Sequence, residues 1–232
     1  MASSAMGNAK IKNASLGRGD FNRPTLQVAR SLPGKFIVRR IGRETIAGMI
    51  TEVEAYKGPR DLAAHSARGR RTARVEPLYG DGGTVYVYLI YGIHWMLNFA
   101  TAGKDLPEGV LIRGVLADPF GEAKYLAGPG RVTQYLKIDK ALDGKDATIS
   151  RQISIEDRGV GIPAKRIQRG PRIGVDYAGD YWAARPWRFW IDSETAKRSL
   201  ASASMADPCK PAQAPHFKAI APIGIRGARI RP

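Results

Sequence analysis

Two alternating stretches hold this chain to a strand-built fold and set acids beside aromatic rings. In Thr51-Glu52-Val53-Glu54-Ala55-Tyr56, the period-2 geometry of a strand puts Glu52, Glu54 and Tyr56 on one face, with Val53 and Ala55 on the other. In Thr84-Val85-Tyr86-Val87-Tyr88-Leu89-Ile90-Tyr91-Gly92, Tyr86 and Tyr88 likewise share a face opposite Val85, Val87 and Leu89. Between the two lie Asp61 and Ala63-Ala64-His65-Ser66. A strongly basic chain has little reason to keep a carboxylate beside a stacking surface unless that carboxylate does chemistry.

At 232 residues the chain is long enough for one domain with a real core and short for two. Its net charge is +16, and such a field attracts polyanions, nucleic acid foremost. Residues 1–23 carry +3 and residues 201–232 carry +4, which leaves +9 on the body between them. A merely solubilising charge is the bland alternative. A membrane is disfavoured as a partner. No strongly amphipathic basic helix is evident, and no run approaches the roughly 18 apolar residues of a span. Cys209 is the one cysteine, which excludes a disulfide framework and a cysteine-based zinc site and fits a reducing compartment. His94 and His216 lack a partner spacing for metal, and no H-x-E with a later CxxC supports a zinc deaminase.

Residues 1–22 are rich in Ala, Ser, Gly and Asn and read as a disordered basic tail. They lack the apolar core of a secretory signal, and only slightly resemble an organelle transit peptide. The folded domain is expected over 23–199, followed by a Pro/Ala/Arg-rich tail over 200–232. Pro24 opens a predicted helix from Thr25 to Leu32, stopped by Pro33-Gly34. Phe36 to Ile41 and Thr45 to Val53 suggest a hairpin across Gly42-Arg43-Glu44. An arginine-rich loop spans Ser66 to Gly83. Thr84 to Tyr91 and Ile93 to Phe99 read as strands broken at Gly92. Val110 to Leu116 and Trp187 to Ile191 are further strands, and two short helices are expected to flank Gly128-Pro129-Gly130. The fold class is α+β: a single mixed domain with a curved, mostly antiparallel sheet flanked by short helices.

A carboxylate on the same face as a tyrosine suits general-base work beside an aromatic substrate, although on spacing alone a solvated strand edge is the more ordinary reading. Strand tyrosines are usually half-buried packing residues. Tyr91 differs, because a sharp turn at Gly92 would project it from a hairpin tip, where an aromatic side chain can wedge into a base stack. Arg113 sits in an apolar strand and needs a carboxylate partner if buried, with Glu54 a plausible one. His65 alone is more often structural than functional. Gly159-Val160-Gly161 loosely suggests a helix-hairpin-helix turn, but no convincing pair of helices flanks it.

Several blocks together closely resemble the alkyladenine (3-methyladenine) DNA glycosylase family. They are Ala29 to Lys35, Glu54-Ala55-Tyr56 with Ala64-His65-Ser66, Tyr86 to Asn98, Val110 to Arg113, Gly128-Pro129-Gly130, Gly170 to Val175, and Pro186 to Phe189. The likeness runs in the family's order from about Pro24 to Ile191. It implies that Glu54 is the general base that deprotonates the water attacking C1′ of the sugar. Arg113 would help to position water and carboxylate, and Ile173 would offer its backbone carbonyl to the same water. Tyr56 and His65 on one side and Tyr88 on the other would stack on the extruded base. Asn98 would form the pocket floor and discriminate against the exocyclic amine of guanine, and Tyr91 would enter the gap left in the helix.

The resemblance further implies a monofunctional hydrolase that flips alkylated or deaminated purines from double-stranded DNA and leaves an abasic site. No lysine sits in a motif that would place it at C1′, and no cofactor is called for. A monomer is expected, cytoplasmic or at the nucleoid in a bacterium, nuclear in a eukaryote, and not secreted. Pro33 stands where the family usually has an aliphatic residue, and His94-Trp95 varies beside the hairpin. The rival readings are a non-catalytic damaged-DNA binder or an RNA-binding protein on the same scaffold. Lesion preference stays open.

Overall fold

The strand-like runs pair into one curled sheet of ten strands, in a computed structural model that describes residues 14–117 and 121–205. The strands are β1 (Ala14–Ser15), β2 (Phe36–Ile41), β3 (Glu44–Tyr56), β4 (Val85–Ile90), β5 (His94–Thr101), β6 (Glu108–Ala117), β7 (Lys124–Ala127), β8 (Ile153–Asp157), β9 (Gln168–Gly170) and β10 (Arg188–Trp190). The helices are α1 (Arg18–Phe21), α2 (Thr25–Ser31), α3 (Pro129–Tyr135), α4 (Asp180–Ala183) and α5 (Ser193–Met205). Neighbouring strands follow the order β1-β8-β2-β3-β6-β5-β4. β10 joins β3 to β9, β7 lies against β6, and these pairings are all antiparallel. The α+β reading with a curved antiparallel sheet therefore describes the molecule.

Side-chain alternation sorts the two faces. Ile37, Val53, Ala55, Val85, Val87, Leu97, Phe99, Val110 and Ile112 point to one face, where Val28 and Ala29 of α2, Leu32 just after it, Val132 of α3 and Leu136 just after it complete the main core. On the opposite face Phe36, Val38, Met49 and Leu116 are covered by Ile191 and by Ala196 and Leu200 of α5.

The alternation is broken once, and the break positions the site. Ile46 and Ile50 face the main core, yet so do Val53 and Ala55, so β3 gains one residue between them. The pairing of β3 with β6 shifts between Ile50 and Glu52 and back between Glu52 and Val53. β6 makes the matching change, with Val110 and Ile112 in the core on one side of the shift and Val115 on the other. A shift of one residue sends every later side chain to the other face. Without it Glu52 and Glu54 would point into aliphatic core. Gly114 makes the close approach possible, since a Cβ there would lie 2.9 Å from both Glu52 Cβ and Thr51 Oγ1.

Several expectations need correction. Within the tail expected over 1–22, residues from Ala14 onward are ordered into the fold. Ala14 and Ser15 pair with Asp157 and Glu156 of β8, and Phe21 is 1 % exposed and stacks on Phe99 at 5.9 Å. Backbone pairing and one anchoring ring do this, and composition reveals neither. Helix α5 continues past residue 199 to Met205 because Leu200 has a core to enter. Before Gly128 stands strand β7 rather than a helix. Pro24 caps α2 from outside, and the helix ends at Ser31. Val160 of the Gly-Val-Gly segment is core packing under the Phe36 face. Residues 1–13 and 206–232, with Cys209 and His216, lie outside the described residues. No helix among the described residues is long and apolar enough to cross a membrane.

Phe21→Ala tests whether the N-terminal segment belongs to the domain. Truncating a buried aromatic leaves a cavity that costs about 3–5 kcal/mol. The unfolding midpoint in urea should fall accordingly, whereas a loose tail would leave it unchanged.

Candidate active site

The irregularity in β3 delivers Glu54 to the face opposite the main core with no solvent exposure. Its carboxylate is met from three sides. Tyr56 donates its hydroxyl to Oε2 at 3.0 Å, the Ile173 amide donates to Oε1 at 2.9 Å, and Arg113 Nε lies 3.5 Å from Oε1. Burial nonetheless dominates and raises the Glu54 carboxyl above the usual carboxylate range. Arg113, the Ile173 amide and Tyr56 oppose that rise, and the neighbouring Glu52 reinforces it. Burial and the adjacent Glu54 also hold the Tyr56 phenol well above its ordinary value, so Tyr56 remains a donor at working pH. The solvated strand edge is excluded.

An aromatic slot opens beside this carboxylate. Its lining includes Tyr56, Ala63, Ala64, His65, Leu78, Tyr86, Tyr88, Asn98, Pro107 and Tyr177. Its free volume is about 50 Å³, room for only a few water molecules. His65 packs edge-on against Tyr88 with ring centroids 4.5 Å apart and against Tyr86 at 6.1 Å, and Tyr86 and Tyr88 lie 5.2 Å apart. His65 thus packs with Tyr86 and Tyr88 in this structure. The His65 Nδ1 and the Tyr86 hydroxyl are hydrogen-bonded at 2.8 Å. Burial first, then the cations of Arg74 and Arg70, lower its imidazole to about 4. His65 is therefore a neutral ring at physiological pH. Burial pushes the Tyr86 hydroxyl up to about 12 and raises Tyr88 as well, so both stay neutral. Asn98, 5 % exposed, is pinned where its Nδ2 donates to the Tyr86 carbonyl at 3.2 Å.

Tyr91 stands at the tip of the β4–β5 hairpin. It is 86 % exposed with φ of 52°, followed by Gly92 at 72°. A left-handed conformation at a residue with a side chain costs about 1–2 kcal/mol. Ile93 beside it is 70 % exposed. Ile173 also meets Glu54 directly through its backbone amide, a contact additional to the one expected of its carbonyl.

Sequence reasoning missed three contributors. Glu52 lies 3.2 Å from Arg113 Nε and accepts from Arg188 Nη1 at 3.1 Å. Arg172 is fully buried with Asp61, donating to both carboxylate oxygens at 2.5 and 2.9 Å and to the Ala55 carbonyl at 3.0 Å, with its guanidinium 4.7 Å from the Tyr56 ring. Tyr177, 72 % exposed, donates its hydroxyl to the Ala63 carbonyl at 3.0 Å across the slot. The one hint for Glu52 was its place on the same strand face as Glu54. Arg172 and Tyr177 are brought in from more than a hundred residues away, which no local pattern reports.

Comparisons with known proteins agree with this geometry. The profile of the family described as Methylpurine-DNA glycosylase matches residues 19–195. Three similar proteins have names carrying the words 3-methyladenine DNA glycosylase. The one from Clostridium perfringens strain SM101 is 39 % identical over 197 residues, covering 76 % of this chain and 95 % of its own length. Those from Methanocella arvoryzae and Psychrobacter cryohalolentis are 40 % and 41 % identical over 187 and 196 residues. They cover 75 % and 74 % of this chain, and 91 % and 90 % of their own lengths. A buried carboxylate beside an aromatic slot, matched over most of the chain, thus has its family: the protein belongs to the methylpurine-DNA glycosylases, hydrolases of N-glycosyl bonds.

Proposed function

We propose that this glycosylase flips an alkylated or deaminated purine out of duplex DNA and hydrolyses its glycosidic bond with a water activated by Glu54. The observation that carries this reading is the fully buried Glu54, held by the Ile173 amide, Tyr56 and Arg113 beside a slot walled by aromatic rings. The water oxygen bonds to C1′ as the C1′–N9 bond breaks, and its proton goes to Glu54. The bond electrons leave with the base, and an abasic site remains. The sugar passes through an oxocarbenium-like state, which an ionised Glu54 stabilises electrostatically as well as chemically.

A methylated purine carries positive charge or is electron-poor. Stacking against neutral tyrosines adds a cation–π attraction of about 0.5–2 kcal/mol, and damaged bases unstack at lower cost. Tyr177, mostly solvent-exposed and tethered to Ala63, forms the outer wall that an entering base would pass. Tyr91 fills the vacated stack. The exposed arginines Arg68, Arg70 and Arg74 beside the slot suit phosphate contacts, which makes binding fall steeply with salt. The enzyme acts as a monomer on this reading.

Base release from methylated DNA should fall about 10²–10⁴-fold in Glu54→Gln, the share a positioned general base supplies, while duplex binding survives. Unchanged release would end the general-base assignment. Lost release with retained binding also separates an enzyme from an idle binder. Tyr91→Ala should weaken capture of lesion-bearing DNA roughly tenfold, in line with about 1–3 kcal/mol per stacked ring, and undamaged DNA much less. Equal losses on both would refute the wedge.

The pH dependence has a definite sign. Glu54 works ionised, so the rate should rise with pH through a limb lying above the ordinary carboxylate range. His65, at about 4, titrates below that limb and should not contribute. A single-turnover pH profile flat down to ordinary carboxylate values would contradict the burial argument.

A further inference from the structure

We propose that Glu52 is a positioning residue of this reaction: its buried carboxylate holds Arg113 between two acids and so keeps Glu54 free to take the proton of the attacking water. The proposal rests on the reading of Glu54 as general base.

The geometry assigns the role. Glu52 is 6 % exposed and lies two residues from Glu54 on the same strand face. Arg113 Nε is 3.2 Å from Glu52 Oε1 but 3.5 Å from Glu54 Oε1, so the arginine leans toward the acid that does no chemistry. The same Glu52 oxygen accepts from Arg188 Nη1 at 3.1 Å. Arg188 lies directly across from Glu54 on β10, and its guanidinium is steadied 4.1 Å over the Trp190 ring. Two acids and two arginines balance in charge.

The backbone is shaped around this contact. Glu52 falls between the two register shifts of β3 against β6, opposite Gly114, and Arg113 has no paired partner on β3. The Arg113 carbonyl instead accepts from the Gly128 amide at 2.9 Å. Any side chain at position 114 would collide with Glu52.

A buried carboxylate paired one-to-one with arginine is a weak base, because the ion pair favours its charged form. Dividing Arg113 between two acids limits that effect, and the negative charge of Glu52 opposes it directly. Among the described residues the ionisable or charged neighbours are few. They are Tyr56 on β3, Arg113 on β6, Arg188 on β10, the Tyr125 hydroxyl on β7, and more distantly Tyr88 on β4 and Tyr177.

The test is the pH profile of base release from methylated duplex DNA under single-turnover conditions, with DNA binding measured alongside. In Glu52→Gln, Arg113 turns wholly to Glu54. The acid limb should move to lower pH and the plateau should fall roughly tenfold, a fraction of what a general base supplies, with binding unchanged. Glu52→Asp, which keeps the charge, should restore the limb toward its wild-type position. Arg188→Gln should move the limb the opposite way, to higher pH, because Glu52 then draws Arg113 further from Glu54.

Opposite shifts in the two variants support the proposal. An unmoved limb in both overturns it and leaves Glu52 a purely structural ion-pair partner. If Glu52→Gln does not fold, Arg188→Gln decides alone: a rise supports the proposal and no shift overturns it. A wild-type limb that persists in Glu54→Gln defeats the general-base reading itself, whereas a limb lost there but fixed in the other variants defeats only the role of Glu52.

Discussion

Taking a carboxylate out of water in the middle of a sheet costs several kcal/mol unless charge and hydrogen bonds meet it, and much of this fold follows from meeting that demand at Glu54. Its own strand supplies only the Tyr56 hydroxyl. The cation comes from β6 and the amide from the segment around Ile173, which precedes β10 in the chain. Three separated stretches must converge on one side chain, and they do so on the face that the main core does not occupy. The paired irregularities in β3 and β6 are the device. They reverse the facing of both strands at the same level, so apolar residues stay in the core while the acids and Arg113 emerge together.

A second buried ion pair fixes the walls. Arg172 and Asp61 have no solvent exposure, and Asp61 also accepts from the amides of Lys57 and Ala63 at 3.1 Å. Arg172 reaches the Ala55 and Trp182 carbonyls as well. One guanidinium therefore ties the segment bearing Ile173 to the strand bearing Glu54 and to the loop leading to His65. A two-pronged contact sets direction as well as distance, which greasy packing of the same volume does not. The same group lies 4.7 Å from the Tyr56 ring and 5.0 Å from Trp187, so the ring beside Glu54 is backed by a fixed charge.

Much of this was legible in the residues, and the failures have physical causes. Alternation at Glu52–Tyr56 and Val85–Leu89 reports facing because one side of each strand is aliphatic. Gly92 after Tyr91 reports a tight turn because glycine adopts positive φ freely, and Arg113 among aliphatic neighbours reports a buried cation seeking an acid. What stayed hidden depends on long-range pairing. Nothing local says that Ala14 and Ser15 find an edge at β8, or that Leu200 has a surface to cover. The register shift was equally silent, since both halves of β3 alternate normally and only pairing with β6 exposes the extra residue. Local sequence is equally silent on the hydrogen bond between His65 and Tyr86 and on the edge contact of His65 with Tyr88.

The small free volume of the slot has its own energetic meaning. A buried acid with raised proton affinity is a good base only while bulk water is kept from it, because hydration would restore the ordinary balance between its charged and neutral forms. Glu54 has no solvent exposure in the free protein, so it is already desolvated. The strained tip at Tyr91 is likewise set in advance. Both features place a cost in the free protein, which is where a preorganised polar site carries it.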